Sequence, residues 1–170
     1  MSQADKAERE AWQAAPLSVL VHHLVAVCHE ECRVDMARLE TLVELEALEG
    51  GSLNLDFLEV RDMISRFCTV MRTHLALEER NLFPYVIGLG DGAITPAQKE
   101  ALGDMRQLLE ADHEAEAGML RTIRGLTAAM ATSPDPASPE SRIHEALMNL
   151  SGHLQKHFYL ENQVLFPRTR

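Results

Sequence analysis

Residues 157–167 read His157-Phe158-Tyr159-Leu160-Glu161-Asn162-Gln163-Val164-Leu165-Phe166-Pro167, and the chain carries this pattern twice. The other copy is His74-Leu75-Ala76-Leu77-Glu78-Glu79-Arg80-Asn81-Leu82-Phe83-Pro84. Six of the eleven positions are identical: His, Leu, Glu, Leu, Phe and Pro. In each copy the glutamate follows the histidine by four. On a helix such residues are neighbours, with Cβ atoms about 5–6 Å apart. A lone His-x-x-x-Glu is usually a surface pair. A duplicated one on an apolar stripe points to metal, because a carboxylate in an apolar core is costly unless it is paired or bound to a cation.

The stripes extend outward from both copies with spacings of three and four, the signature of helices. Phe67, Met71, His74 and Glu78 fall on one face. Ile143, Leu147, Leu150, Leu154, His157, Glu161 and Leu165 fall on another. Two more segments behave the same way. Val25, His29, Cys32, Met36, Leu39 and Val43 line the first, and Leu102, Leu109, His113 and Leu120 the third.

Breakers cluster at Gly50-Gly51-Ser52, from Gly88 to Thr95, and from Thr132 to Pro139. They cut the chain into helices over about 16–49, 56–87, 95–131 and 138 onward. Start signals agree: Asp56 with Glu59, Thr95-Pro96 with Gln98, and Ser138-Pro139. No alternating β-branched run or Asn-Gly hairpin turn is found. The expected fold is all-α, an up-down-up-down four-helix bundle over residues 15–170 after a polar lead-in over 1–14.

Each helix then brings one histidine to its apolar face: His29, His74, His113 and His157. Two of the helices add Glu78 and Glu161. Imidazole nitrogen with carboxylate oxygen suits iron, manganese or zinc, and facing helices of a bundle can build a two-metal site from such groups. His22 and His23 compete with His29 on the first helix, while His144 and His153 lie off the fourth stripe and read as structural or exposed. Leu-Phe-Pro in both copies reads as core packing and helix ending.

Composition removes other classes. The chain has 170 residues, about one domain, with 46% apolar and 25% charged residues. Sixteen Lys and Arg against 26 Asp and Glu leave a formal charge of -10, a poor partner for nucleic acid or anionic membrane. The longest apolar stretch, Pro16 to Cys28, is interrupted by His22 and His23 and is too short to span a bilayer. The N-terminal residues lack a secretion pattern, so a cytoplasmic protein is expected. Cys28, Cys32 and Cys68 read as reduced, partly buried thiols.

These motifs resemble the hemerythrin-like, HHE cation-binding domain, over roughly residues 15–168. More closely, the chain resembles the di-iron domain of iron-centre repair proteins, which act on iron–sulfur clusters damaged by nitric oxide or oxidants. The carrying residues are Ala15-Pro16-Leu17 with His23 and His29, His74-x-x-x-Glu78, His113-Glu114, and His157-x-x-Leu160-Glu161-Asn162 with Val164 to Arg168.

The resemblance implies two iron ions held by His29, His74, His113 and His157, with Glu78 and Glu161 as bridges; it assigns His23 no metal. Oxygen-carrying hemerythrins have a further histidine where this chain has Ala117, which argues against simple oxygen carriage. Repair proteins typically also carry adjacent cysteines; this sequence has none.

The implied function is stress response: donating iron to an iron–sulfur client protein, or binding and reducing nitric oxide at the iron pair. Glu116, one turn past His113, reads as an outer ligand or a solvated residue. The alternative is non-enzymatic: a sensor of oxygen, peroxide or redox state, with Cys32 as a reporter, or an iron-binding protein. A metal-free structural bundle is the remaining reading; in it, Glu78→Leu and Glu161→Leu would be stabilising.

Overall fold

The structure is a computed structural model describing residues 3–49, 55–131, 135 and 138–170. The expected breaker at Gly50-Gly51-Ser52, most of the linker before Ser138, and the side chain of Asp56 lie outside the described residues. Among the described residues all regular secondary structure is helical, with no strand.

Residues 3–14, a polar lead-in by sequence, form α1 (Gln3–Ala14). The first long segment is α2 (Leu17–His23), a π-helical turn (Leu24–His29) and α3 (Glu30–Glu49). The second is α4 (Leu55–Leu77), a π-helical turn (Glu78–Leu82) and α5 (Phe83–Gly90). The third, α6 (Pro96–Met130), is uninterrupted. The fourth is α7 (Pro139–Leu160), a π-helical turn (Glu161–Leu165) and a closing 3₁₀ turn (Phe166–Thr169).

Two start signals form as expected. At α6, Thr95 N–H donates to Gln98 Oε1 at 2.9 Å and Gln98 N–H donates to Thr95 Oγ1 at 3.3 Å. This reciprocal pair satisfies donors that a helix start leaves open. At α7, Ser141 N–H donates to Ser138 Oγ at 3.3 Å.

Two expectations need correcting. Pro84 does not end its helix. It lies in the first turn of α5, where a missing N–H costs little, and the helix runs on to Gly90. Gly88 and Gly90 are therefore helical, and the chain turns instead at Gly92, which adopts φ 67°.

The backbone packs as two compact units. One comprises Met1–Glu30, His74–His113 and Gln155–Arg170. Its apolar core includes Leu20, Leu24, Leu82, Val86, Leu109 and Phe166, all buried. α2 packs on α5, and α1 lies against the 161–165 turn. Arg168 secures the end of α1 by donating to the carbonyls of Trp12 at 3.0 Å and Ala15 at 2.6 Å.

The other unit comprises Glu31–Thr73 and Glu114–Leu154. Met36, Leu39, Ile64, Phe67, Met71, Ile123, Leu147 and Leu150 are fully or almost fully buried in it. Polar pairs accompany this core. Arg72 grips Glu40, His153 Nδ1 lies 2.6 Å from Asp35 Oδ2, and His144 Nδ1 lies 3.0 Å from Thr127 Oγ1. His144 and His153 thus have structural partners.

Candidate metal centre

All six residues singled out by the sequence lie in the first unit, and all are buried. α4 carries His74 in its last turn, with Glu78 opening the π turn that follows. α7 carries His157, with Glu161 opening the next π turn. His29 closes the 24–29 π turn, and His113 comes from α6.

Glu78 divides its two oxygens between two pairs of imidazoles. Oε1 lies 3.2 Å from His74 Nε2 and 3.9 Å from His113 Nε2. Oε2 lies 3.4 Å from His29 Nε2 and 3.6 Å from His157 Nε2. Glu161 Oε2 lies 3.1 Å from His157 Nε2 and 3.2 Å from His113 Nε2. The potential ligand atoms form two sets, His29–Glu78–His157–Glu161 and His74–Glu78–His113–Glu161, each within 4.8 Å. Both glutamates belong to both sets.

Protein partners alone do not satisfy these atoms. Nε2 of His29 and of His157 and all four oxygens of Glu78 and Glu161 are buried without a hydrogen bond of sound geometry. His74 Nε2 and His113 Nε2 face each other at 3.2 Å. Buried polar groups left in this way carry a desolvation cost. Converging nitrogen lone pairs and shared carboxylates are what a pair of borderline divalent cations accepts. The donor set and its orphaned atoms therefore fit a metal centre.

The outer ring nitrogens are also placed. His29 Nδ1–H donates to Glu79 Oε1 at 2.7 Å and His113 Nδ1–H to Asn162 Oδ1 at 2.9 Å, which leaves both Nε2 lone pairs facing inward. His113 also stacks on Phe158, with ring centroids 4.3 Å apart.

Without metal the cluster titrates as a group. Burial pushes the Glu78 carboxyl up, but His113, His157, His29 and His74 outweigh it and hold Glu78 well below the usual carboxylate range. Burial works against charge on His113, yet Glu161 and Glu78 raise it to about 10. His157 is raised to about 10 by the same two carboxylates, again against burial.

Several candidates stand apart from this cluster. His23 packs against Trp12 with ring centroids 4.3 Å apart and the planes tilted by 31°, and His22 Nδ1 lies 2.6 Å from Ser18 O. Glu116 is buried rather than solvated, and Cys28, Cys32 and Cys68 are all buried and not in disulfides. The Cys68 thiol is pushed up to about 12 by burial and Glu40, with Arg72 opposing, so it is a poor nucleophile at neutral pH. Glu79 and Asn162 were not singled out as orienting groups. Their signal is position: each directly follows the glutamate of its copy of the repeat.

The helical fold and the shared-carboxylate cluster belong to one class, and the chain is a member of the hemerythrin family. The family model for the hemerythrin HHE cation binding domain matches residues 20–169. Among individual relatives, the chain is 24% identical to the iron-sulfur cluster repair protein YtfE of Escherichia coli O1:K1. The proteins of that name from Escherichia coli strain SMS-3-5 and Escherichia fergusonii match equally. Each alignment covers 97% of this chain and 71% of the relative. No helix among the described residues is long and apolar enough to cross a membrane.

Proposed function

We propose that His29, His74, His113, His157, Glu78 and Glu161 hold two iron ions, and that the protein repairs iron–sulfur clusters damaged by nitric oxide or oxidants. Iron is then cargo, handed to a client protein whose cluster has lost it. The observation that carries this reading is the sharing of Glu78 and Glu161 between two imidazole pairs, which gives two adjacent cation positions two nitrogens each. The name of the relatives supplies the client class.

A bound ferrous pair would supply exchangeable iron and coordination positions open to a small diatomic ligand such as nitric oxide. The chain's own residues explain how iron could leave without collapse of the site. Metal departure frees Nε2 of His113 and His157 to take up protons, against burial but favoured by Glu161 and Glu78. Glu78 stays anionic opposite them. Protons thus replace metal charge, and the emptied cluster retains paired charges.

The test begins with metal content and absorption spectrum after anaerobic purification, before and after air. The expected result is about two irons per chain, with new charge-transfer bands on oxidation. Loaded protein is then mixed with a client whose cubane cluster has lost one iron. Recovery of the client's cluster with loaded wild type, and none with Glu161→Leu, supports the reading. A lone zinc, or no metal, from iron-replete cells would overturn the iron assignment. Two bound irons without client recovery would overturn the repair assignment and favour the sensor.

A further inference from the structure

We infer that the two metal positions are unequal by construction: the position of His29 and His157 retains its ion, and the position of His74 and His113 releases it. This rests on the reading that the six residues hold two ions, and it adds which ion is the cargo.

The inference comes from a place where the duplicated sequence breaks its own symmetry at the outer nitrogens of the imidazoles. In both copies the residue after the shared glutamate lies in a π-helical turn and reaches the outer nitrogen of an imidazole from another segment. In the first copy it is Glu79, whose Oε1 lies 2.7 Å from His29 Nδ1. In the second it is Asn162, whose Oδ1 lies 2.9 Å from His113 Nδ1. One acceptor is a carboxylate and the other a neutral amide.

A carboxylate accepting from Nδ1–H draws the proton outward and makes Nε2 a stronger donor toward a cation. An amide oxygen accepts without that charge assistance and polarises the ring less. Each ligand set contains two histidines and the same two glutamates. At the first position His157 Nδ1 is buried without a hydrogen-bond partner among the described residues, so the outer acceptor there is Glu79.

Removing or altering such an outer partner typically changes metal affinity about 10–100-fold. The asymmetry therefore fits a protein that gives up one ion and keeps the other as the anchor of its site. Glu79 and Asn162 are positioning residues in this account, since each acts through a histidine.

The experiment is ferrous release from the fully loaded protein to an excess of a chromogenic ferrous chelator, followed by stopped flow. Wild type should release iron in two equal phases, at rates about tenfold or more apart. Asn162→Asp should slow only the fast phase, and Glu79→Gln should speed only the slow one. The two quadrupole doublets of the oxidised protein in a Mössbauer spectrum should converge in Asn162→Asp. A structural role for either residue would move both phases together, and circular dichroism of each metal-free variant checks the fold. A single release phase in wild type, or variants that move the opposite phase, would overturn the inference while leaving the two-ion reading intact. Fewer than two irons bound at saturation would overturn both.

Discussion

The two units solve the packing problem differently, although all four long helical segments contribute to each. In the unit of residues 31–73 and 114–154, apolar side chains such as Phe67, Met71 and Leu147 fill the core, and pairs such as Arg72–Glu40 and His153–Asp35 accompany it. In the unit of residues 1–30, 74–113 and 155–170, six ionisable side chains are buried together in addition to the apolar core. The first arrangement is held by contacts already made. The second leaves lone pairs that only a cation or protons can satisfy, so its stability depends on what is bound.

The sharpest break of this contrast is Glu161→Leu. It removes an oxygen donor common to both ligand sets and leaves the imidazoles facing a methyl surface. Metal content should fall from about two ions per chain to well below one, with helicity retained. Elemental analysis alongside far-ultraviolet circular dichroism checks both parts. A variant that kept its metal would show that Glu161 is not a shared ligand.

Phe67→Ala tests the other unit. Phe67 is fully buried there. Truncation should cost about 3–5 kcal/mol by urea unfolding, through lost burial and the cavity left behind. Metal stoichiometry of the folded variant should stay at the wild-type value, because none of the candidate ligands belongs to that unit.

The pH dependence of the metal-free protein sharpens the comparison further. His113 and His157 are raised from 6.5 to about 10 on folding. Their contribution is complete below about pH 6.5 and is lost as pH rises toward 10. Glu78 is lowered from 4.5, so its contribution is complete above about pH 4.5 and is lost as pH falls through its folded value. Metal-free stability should therefore be greatest between about pH 4.5 and 6.5 and decline on either side. Loading iron at pH 7 should release protons, measurable in a weakly buffered solution. Glu161→Leu should flatten the alkaline decline, because it removes a carboxylate that raises both histidines.

The helical class and four of the six clustered residues, His74, Glu78, His157 and Glu161, were legible from local spacing: His to Glu at four, on stripes at three and four. His29 and His113 lay on such stripes, but the family resemblance completed the set. The three π-helical turns were hidden by the same rule. A π turn adds a residue, which displaces the downstream stripe by about 100°. The buried pairs Leu24 and His29, Glu78 and Phe83, and Glu161 and Phe166 are accordingly spaced by five. That spacing occurs in both copies of the repeat, and such turns concentrate at functional sites. The burial of Glu116 and the outer bonds of Glu79 and Asn162 were not legible, since they depend on which segments meet in space.

The smallest expected effect concerns two glycines at the end of α5, whose interruption of the helix proved wrong. A Cβ added at Gly88 would meet nothing within 4 Å, whereas one at Gly90 would lie 3.3 Å from Leu17 Cβ. Alanine should stabilise a helix by up to about 1 kcal/mol relative to glycine where space allows. Gly88→Ala should gain a few tenths of that amount or more. Gly90→Ala should gain nothing or lose about 1 kcal/mol, because Leu17 Cβ is fixed to the backbone of α2 and cannot rotate away. Thermal unfolding of the metal-loaded protein separates the two. Equal stabilisation by both would mean that the packing of α2 on α5 has slack, and that this unit, cluster apart, is less tightly built than the other.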